Sequence, residues 1–262
     1  MLIISWNVNG LRACVRKGFL EWLQGCEGEV IGIQEMRARS EQLGVEAREP
    51  SGFMTHFFPA ERPGYSGVGL YSRREPDEVS TSMEAAEFEQ EGRMQLARFG
   101  KLWVANVYFP NGSGKNRDNS RIPYKIGFYQ RLFDMLEERR QRGEPILVMG
   151  DFNTAHQEID LARPKQNHQT SGFRAEERAE LDRWVSAGWV DTYRHFNPDA
   201  EGVYSWWSNR QGVRERNVGW RIDYIFASEG ALPYLEEAFV WSDVMGSDHC
   251  PVGVRVNPEI CG

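Results

Sequence analysis

Several short segments of the chain place polar, chemically capable side chains beside apolar runs that read as buried strands. The side chains presented at these strand ends are those of Asn7, Glu35, Asp151, Asn153, Asp248 and His249. Carboxylate and amide oxygens are hard ligands, and together with one imidazole they suit Mg²⁺ and a phosphate ester. The pattern therefore indicates metal-assisted chemistry on a phosphate ester at a place where several strands end.

Hydrolysis of a phosphodiester at neutral pH needs a deprotonated water, a neutralised phosphate and a stabilised leaving oxygen. Asp151 has the chemistry to orient and deprotonate the water. Glu35, with Asn7 and Asp248 near it, has the oxygen atoms to hold the metal. These residues are therefore the candidate general base and the candidate metal ligands.

The other polar candidates would act on the phosphate. A protonated His249 would hydrogen bond a phosphoryl oxygen, and Asp223 would keep it charged, because a neighbouring anion raises the pKa of histidine. Asn153 and Tyr108 are candidates for further hydrogen bonds to phosphate. Each motif alone has a plainer explanation, since Gly-Asp-Xaa-Asn is a common turn and a lone His beside Asp is often structural. Turns do not explain all the strand-end motifs together.

A second group of candidates is aromatic and lies between residues 204 and 223. Because side chains alternate along a strand, one of Trp206 and Trp207 is expected to fill the core. Trp206, Trp220 and Ile222 would form an apolar pocket beside Asp223, able to accept an extruded sugar that lacks its base. Composition alone leaves core filling and pocket formation equally open for these residues.

Length and composition bound the class of protein. With 262 residues, 40% hydrophobic and 26% charged, the chain is expected to form one soluble catalytic domain over residues 1–262. A net charge of −7 is unlike a generic nucleic-acid binder, but local charge decides binding. The four cysteines lack the spacing of a zinc site. Without a recognisable signal peptide or membrane-length run, we expect an intracellular protein without a membrane partner.

The elements that must position the candidates follow from hydrophobic periodicity, which favours alternating short strands and helices. The predicted strands are Leu2–Trp6, Val30–Ile33, Gly67–Ser72, Met94–Phe99, Leu102–Tyr108, Ile146–Met149, Arg221–Ala227 and Val252–Val256. The predicted helices are Lys17–Gln24, Pro123–Arg142 and Ala175–Ala187. Basic residues recur in the predicted loops, among them Lys115, Arg117, Arg121, Arg210, Arg214 and Arg216. Such residues could follow a DNA backbone despite the acidic total.

Short motifs recur in order over nearly the whole chain. They are Trp6–Ala13, Gln34–Glu35, Gly64–Val68, Glu91–Arg93, Tyr108–Gly112, Gly150–Asn153, Ser171–Phe173, Gly219–Tyr224 and Gly246–Pro251. Together they resemble the exonuclease III family of abasic-site endonucleases. The resemblance implies an α/β fold, a four-layer αβ sandwich with two central mixed β-sheets flanked by helices.

The resemblance also implies a function. It implies Mg²⁺-dependent cleavage of double-stranded DNA 5′ to abasic sites, leaving 3′-hydroxyl and 5′-deoxyribose phosphate ends, with Mn²⁺ as an alternative metal. It further implies 3′-phosphodiesterase, 3′-phosphatase and 3′→5′ exonuclease activity. We expect the protein to act as a monomer.

Roles carry over from the resemblance residue by residue. The catalytic and phosphate-binding positions are those of Asp151, Asn153, Tyr108, His249 and Asp223. The metal positions are those of Glu35, Asn7 and Asp248. The substrate-binding or site-supporting positions are those of Asn111, Arg12, Lys17, Tyr65, Arg93, Trp206, Trp220, Ile222 and Arg210. Two departures stand out: Asn9 occupies a position where some members carry Asp, and Trp206 a position where some carry Phe.

Two other hypotheses compete with a DNA-repair endonuclease. One is a related phosphoesterase on the same fold, acting on inositol phosphates, sphingomyelin or RNA, and the pocket segment Asn217–Tyr224 argues against it. The other is a non-catalytic DNA-binding module. The joint presence of Glu35, Asp151 and His249 argues against this second reading, because binding alone does not need them.

Overall fold

The computed structural model describes residues 1–114, 116 and 118–262. Lys115 and Arg117, two of the basic loop residues named above, lie outside the described residues. The strands are β1 Leu2–Asn7, β2 Val30–Gln34, β3 Met54–Phe58, β4 Val68–Ser72, β5 Glu78–Ser80, β6 Met94–Phe99, β7 Leu102–Tyr108, β8 Ile146–Asp151, β9 Val190–Asp191, β10 Trp206–Trp207, β11 Gly219–Trp220, β12 Asp223–Ala227, β13 Leu235–Val240 and β14 Val252–Val256. The helices are α1 Leu11–Val15, α2 Phe19–Gly25, α3 Val45–Arg48, α4 Ala86–Glu89, α5 Ile122–Gln141, α6 Pro164–Asn167, α7 Ala175–Ser186 and α8 Thr192–Phe196.

Most strands belong to two six-stranded mixed sheets with the same internal plan. The first sheet has the order β13-β14-β1-β2-β4-β3, and the second has the order β5-β6-β7-β8-β12-β9. In each sheet the central pair is parallel, β1 with β2 and β7 with β8, whereas the other neighbours run antiparallel. Strands β10 and β11 form a separate antiparallel pair.

The two sheets pack face to face, and helices cover their outer faces. All residues of strand β1 are buried, which explains why its apolar run is continuous. Ile3 joins the core between the sheets, whereas Ile4 and Trp6 point to the helical side and pack with Phe19 of α2. Side chains that alternate between two buried faces must all be apolar or hydrogen-bonded.

The second sheet is covered by the long helix α5 and by α7. Phe128 and Leu132 of α5 and Trp184 of α7 join one buried cluster with the side chains of that sheet. Helix α5 begins with a proline in its first turn and is followed by Gly143 at a φ of 75°, which is the usual start and stop chemistry of a helix. The layers are therefore helix, sheet, sheet and helix, and the predicted four-layer α/β fold is confirmed.

The strands with continuous apolar runs were predicted to within a residue or two, but several edge elements were not. Strand β13 was missed because Glu236 and Glu237 are exposed on an edge, and β3 was missed as a half-buried edge strand. The predicted start of the strand at Arg221 was wrong, since β12 begins at Asp223. Along the described residues, no helix has both the length and the apolar character needed to cross a membrane.

Candidate active site

Strands from both sheets end at one edge of the molecule and carry predicted site residues there. Asn7, the last residue of β1, pairs in register with Gln34, the last residue of β2. In the second sheet, the last registered pair of the parallel strands is Tyr108 with Asp151. Parallel strands bring their carboxyl ends to the same edge of a sheet. Glu35, which directly follows β2, is therefore brought to this edge as well.

A cavity of about 200 Å³ opens at this edge. The predicted residues that line it are Glu35, Tyr108, Asn111, Asp151, Asn153, Trp206, Trp220, Ile222, Asp248 and His249. Asn7 and Asp223 lie behind this lining, where they are buried and hydrogen bond Asp151 and His249. The structure thus brings together side chains that the sequence supplies from widely separated segments.

Asp151 is a buried carboxylate held by three donors at the centre of the cavity. The Asn7 side-chain amide donates to Oδ2 at 2.8 Å, the backbone N–H of Asn153 donates to Oδ1 at 2.8 Å, and the Asn153 amide reaches Oδ2 at 3.3 Å. Burial, followed by the nearby negative charge of Asp223, raises the pKa of Asp151 well above its usual range. A carboxylate whose pKa is raised toward neutrality is a stronger proton acceptor, which suits a general base.

His249 is buried beside two carboxylates. Its Nδ1 lies 2.8 Å from Asp223 Oδ2, and its Nε2 lies 3.9 Å from Asp151 Oδ2. Burial alone would lower the pKa of His249, but the negative charges of Asp223 and then Asp151 outweigh it and raise the pKa to about 10. The imidazole is therefore cationic at neutral pH, with both ring nitrogens acting as donors.

Glu35 sits in a constrained and cation-accepting environment. Its φ of 54° is unusual for a residue with a side chain. The Tyr108 hydroxyl donates to Oε1, and the half-exposed guanidinium of Arg37 pairs with Oε2. Burial, followed by the charge of Glu35, raises the pKa of Tyr108, so the phenol keeps its proton for this hydrogen bond. The site around Glu35 thus already holds one positively charged group.

Two groups of residues with carboxylates are candidate metal sites, one containing Asp151 and one containing Glu35. Among the described residues, the acidic and imidazole groups whose ligand atoms lie within 4.8 Å of one another are Asp151, Asp223 and His249. A cationic His249 whose Nδ1 donates to Asp223 has no free lone pair for a metal, so this set reads better as a hydrogen-bonded charge cluster. The carboxylate of Glu35 fits a hard cation better, because its oxygens are not committed to an imidazolium. The neighbouring Asn7 amide presents its nitrogen to Glu35 Oε1 at 3.4 Å, and its oxygen accepts from the backbone N–H of Asn9 at 2.9 Å.

Asp248 is held in place by neutral donors. The Asn9 amide donates to Oδ1 at 2.7 Å, and the Trp206 indole and the Asn209 amide donate to Oδ2 at 3.2 and 3.3 Å. The next residue back along the chain, Ser247, donates its hydroxyl to the backbone oxygen of Asn7 at 2.8 Å. The Asp248 turn is therefore joined both to β1 and to the aromatic segment.

The aromatic candidates form one wall of the cavity. Trp206 and Trp220 lie across from each other on β10 and β11, with ring centroids 6.3 Å apart in an edge-to-face arrangement. Ile222 belongs with them to a small apolar cluster. Trp207 points the other way and is buried in a different cluster. The alternation expected along a strand thus places Trp206 in the cavity wall and Trp207 in the core.

Of the two roles expected for Arg93, substrate contact or support of the site, its contacts fit support. Its side chain is 2% exposed, and its guanidinium hydrogen bonds Glu91 at 2.6 Å, the Tyr108 backbone oxygen at 3.0 Å and the Tyr65 hydroxyl at 2.9 Å. With these contacts it has no exposed face for a ligand. Arg93 therefore supports Tyr108 from behind, and half-buried Tyr65 is part of the same network.

The remaining substrate-binding candidates lie around the cavity at the surface. Asn111 is exposed and donates to Asn153 Oδ1 at 3.1 Å. Lys17 and Arg210 line a second cavity that also includes Asp248. Arg12 is exposed on α1. These positions leave their side chains accessible to a large ligand.

Several residues that shape the site were not among the predicted ones. Besides Arg37, buried Lys125 donates to the backbone oxygen of Asn153 at 2.7 Å and to Glu177 at 2.6 Å. Glu177 in turn accepts from the backbone N–H of Gly172 at 2.7 Å, and Gly172 lines the cavity. Nothing in the sequence around Lys125, four residues after Arg121, indicates that its side chain is buried. The motif Ser171–Phe173 was the sequence signal for the part of the cavity lining that contains Gly172.

The comparison with sequence families matches this architecture. A profile described as the Endonuclease/Exonuclease/phosphatase family matches residues 4–249. The matched region extends over most of the chain and runs from β1 to His249. The chain therefore belongs to the Endonuclease/Exonuclease/phosphatase family.

Individual relatives narrow the class further. The chain is 42% identical to an exodeoxyribonuclease of Bacillus subtilis, over 98% of this chain and 100% of the relative. It is 36% identical to a DNA-(apurinic or apyrimidinic site) endonuclease of Dictyostelium discoideum, over 98% of this chain and 71% of the relative. The catalytic domain of Xenopus laevis APE2 superposes with a TM-score of 0.86 at 27% identity, covering 98% and 91% of the two chains. The prediction of a nuclease of the exodeoxyribonuclease III and AP endonuclease type is thereby confirmed.

Proposed function

We propose that the protein is a Mg²⁺-dependent DNA-repair endonuclease that hydrolyses the phosphodiester 5′ to abasic sites in double-stranded DNA. The observation that carries the proposal is the adjacency of two features: the buried cluster of Asp151, Asp223 and His249, and the aromatic wall of Trp206 and Trp220. The first is suited to phosphodiester hydrolysis, and the second to a sugar without its base. The relatives named above as an exodeoxyribonuclease and an AP endonuclease support this choice of substrate.

The chemistry of the proposal follows from the side chains. Asp151 accepts the proton of the attacking water, because its raised pKa makes it basic enough near neutral pH. Cationic His249 donates from Nε2 to a phosphoryl oxygen as negative charge develops, while Asp223 holds the ring from Nδ1. Asn153 and Tyr108 line the same cavity and are the proposed phosphate-orienting residues. To do so, each would have to redirect a donor that now serves Glu35 or the Phe109 backbone oxygen.

The metal would be held by Glu35, with Asp248 and Asn7 as the proposed further oxygen ligands. The Asn7 oxygen, which accepts from the Asn9 backbone N–H at 2.9 Å, would have to turn toward the cation. A bound divalent cation supplies charge neutralisation of the phosphate and stabilisation of the leaving oxygen. Arg37, whose side chain is 44% exposed, is free to swing away from Glu35 into solvent. Mg²⁺ is the proposed ion because the donors are hard oxygens, and Mn²⁺ is accepted by the same chemistry.

The proposal extends to the 3′ activities. 3′-Phosphodiesterase and 3′→5′ exonuclease reactions cleave phosphodiesters, and the 3′-phosphatase reaction cleaves a phosphomonoester. All three transfer a phosphoryl group to water, so one cluster is proposed to serve all of them. A single catalytic domain that works as a monomer inside the cell remains the expectation from the sequence.

The experiment is cleavage of a labelled duplex carrying one tetrahydrofuran abasic analogue, with Mg²⁺ and with EDTA, beside an intact 3′-recessed duplex. Incision 5′ to the analogue that requires the metal is the expected result. Shortening of the control without incision at the analogue would contradict the abasic assignment and leave an exonuclease. Inertness toward both duplexes with turnover of an inositol phosphate or sphingomyelin would favour the related phosphoesterase.

A further inference from the structure

The segment that leads into Asp248 and His249 is held by one arginine from another part of the chain. The Arg214 guanidinium donates to the backbone oxygen of Ser247 at 3.0 Å, of Ser242 at 2.6 Å and of Val244 at 2.8 Å. Three carbonyls of one short segment thus converge on a single side chain. The planar fork of donors in arginine suits this arrangement, whereas a lysine presents a point charge.

Arg214 belongs to the loop between β10 and β11, the strands that carry Trp206 and Trp220. Its guanidinium lies 4.4 Å from the centre of the Trp207 ring, so its direction is fixed by stacking as well as by hydrogen bonds. The neighbouring basic residues of the loop, Arg210 and Arg216, are exposed. Arg214 is the half-buried member, and it faces protein backbone.

Strand β10, which precedes this loop, meets the turn bearing Asp248 and His249 at three further contacts. The backbone N–H of Trp207 donates to the Asp248 backbone oxygen at 3.0 Å, and the Trp206 indole donates to the Asp248 carboxylate at 3.2 Å. A β-bridge also joins Trp206 to His249. The aromatic wall and the turn bearing Asp248 and His249 are therefore one connected unit, with Arg214 fastening the part of the turn that precedes Asp248.

The segment contains a glycine, the residue that restricts the backbone least. Gly246 has a φ of 124°, a conformation that side chains rarely adopt, and glycine gives the chain many alternatives there. Without the guanidinium, three carbonyls would seek other donors. The position of Asp248 and His249 would then vary on a scale that matters for catalysis.

We propose that Arg214 is a positioning residue, which aligns Asp248 and His249 by holding the segment 242–247 against the aromatic loop. The inference rests on the proposed nuclease function and assigns Arg214 a part in turnover, whereas its sequence context suggested only DNA-backbone contact. A guanidinium committed to backbone carbonyls contributes to the alignment of the catalytic turn, and phosphate binding falls to the exposed arginines of the loop.

The test compares R214M, R214K and the matched variant R216M by steady-state incision of the abasic duplex. R214M and R216M remove the same charge from the same loop. R214M is expected to lower kcat about tenfold to a hundredfold, as a displacement of catalytic groups does, with KM nearly unchanged. R214K should restore part of kcat. R216M should raise KM, keep kcat and reduce the salt dependence of binding.

Melting temperatures of all variants are measured beside the kinetics. If R214M and R216M both raise KM and keep kcat, Arg214 is a phosphate contact and the proposal fails. If R214M changes only the melting temperature, its role is structural and the proposal also fails. If R214M does not fold, R214K decides, because an unchanged kcat in that variant would contradict a requirement for the fork.

The wild type in the same assay separates this proposal from the proposed function. If the wild type does not incise the abasic duplex, the substrate assignment is wrong. The variants are then compared on degradation of the 3′-recessed duplex, where the same split between kcat and KM is expected for Arg214.

Discussion

Arg221 and Asp223 lie two residues apart, and each belongs to a buried charged cluster, but the two clusters differ in how completely their charges are paired. The support cluster consists of Asp160, Asp191, Arg194 and Arg221. Arg221 donates to Asp160 Oδ1 at 2.9 Å and to Asp191 Oδ2 at 2.7 Å, and Arg194 donates to Asp160 at 2.6 Å. Two carboxylates thus face two guanidiniums. Burial would raise the pKa of Asp160, but the charge of Arg221 and its hydrogen bonds lower it.

The cluster to which the proposed function assigns catalysis, called the catalytic cluster below, consists of Asp151, Asp223 and His249. Here two carboxylates share one cationic imidazole, and Asp223 Oδ1 is buried without a hydrogen-bond partner among the described residues. The pKa values of Asp151 and His249 are both raised. Ile222, between Arg221 and Asp223, faces the cavity. The comparison teaches that complete pairing suits a cluster that stabilises the fold. Incomplete pairing leaves groups with raised pKa values, as a proton acceptor and a phosphate-binding cation require.

The largest effect is expected when the catalytic cluster loses its proton acceptor. D151N should lower kcat by about 10²–10⁴-fold, the usual contribution of a general base. Stability should hold or rise, because a buried carboxylate near Asp223 and Glu35 is removed. Incision assays with abasic duplex, DNA binding and thermal unfolding measure these outcomes. Full turnover by D151N with intact DNA binding would show that Asp151 takes no part in the chemistry.

The support cluster should respond in the opposite way. R221M leaves Asp160 and Asp191 buried with less compensation, which costs about 3–5 kcal/mol of unfolding free energy for a broken buried ion pair. Urea unfolding measures this loss. R142M, which removes an exposed arginine that pairs with Glu138 and Glu144, is the control and should change little. Equal stability of R221M and R142M would show that the support cluster does not hold the fold.

Sequence could predict the strand ends of the site for a physical reason. A strand buried on both faces must be apolar, so a polar residue at its end stands out, as Asn7, Asp151 and Glu35 do. The motifs around them then indicated the family and, with it, the four-layer arrangement of two central sheets between helices. The sequence therefore predicted both the place where the strands end and the candidate chemistry of the residues there.

Pairing between distant segments could not be predicted in the same way. The contacts of Arg37 with Glu35, of Lys125 with Glu177 and of Arg214 with Ser247 depend on how loops and helices pack on the sheets. A basic residue in a loop looks alike whether it faces solvent or backbone. The burial of Arg93 was missed for the same reason, since two of its three partners, Tyr65 and Tyr108, come from other segments.

The next effect concerns the pH dependence of the catalytic cluster. The pKa of His249 is raised to about 10, against the effect of burial, chiefly by Asp223. If the imidazole must be cationic, activity is present below this pKa and is lost as the pH rises through it. D223N removes the main raising charge, so the alkaline loss should move toward neutral pH. Profiles of kcat/KM against pH measure the shift.

S205A is the control for that profile. Ser205 donates to Asp223 Oδ2 at 2.6 Å, so S205A removes a hydrogen bond but keeps the carboxylate charge. Its alkaline limb should stay close to that of the wild type. A limb that moves equally in S205A and D223N would mean that orientation of Asp223, and not its charge, keeps His249 protonated.

The smallest effect is expected where the wall meets the catalytic turn. W206F keeps an aromatic ring opposite Trp220 but loses the indole donor to Asp248, a hydrogen bond of 3.2 Å at a half-buried site. Asn9 and Asn209 still donate to Asp248, so kcat/KM should fall only about fivefold to tenfold, the size of the loss for an ordinary hydrogen bond. The smaller ring should also admit base-bearing nucleotides more readily, which incision of an undamaged duplex measures.

W220F separates these two consequences, because it trims the opposite side of the wall and leaves the Trp206–Asp248 hydrogen bond in place. If the indole contact matters, W206F should require more Mg²⁺ for half-maximal activity than W220F, whereas both should relax discrimination against undamaged DNA. Equal Mg²⁺ requirements would mean that the wall acts on the sugar alone. In that case the amides of Asn9 and Asn209 are enough to hold Asp248. The contact of Trp206 with Asp248 would then have no effect on the metal requirement.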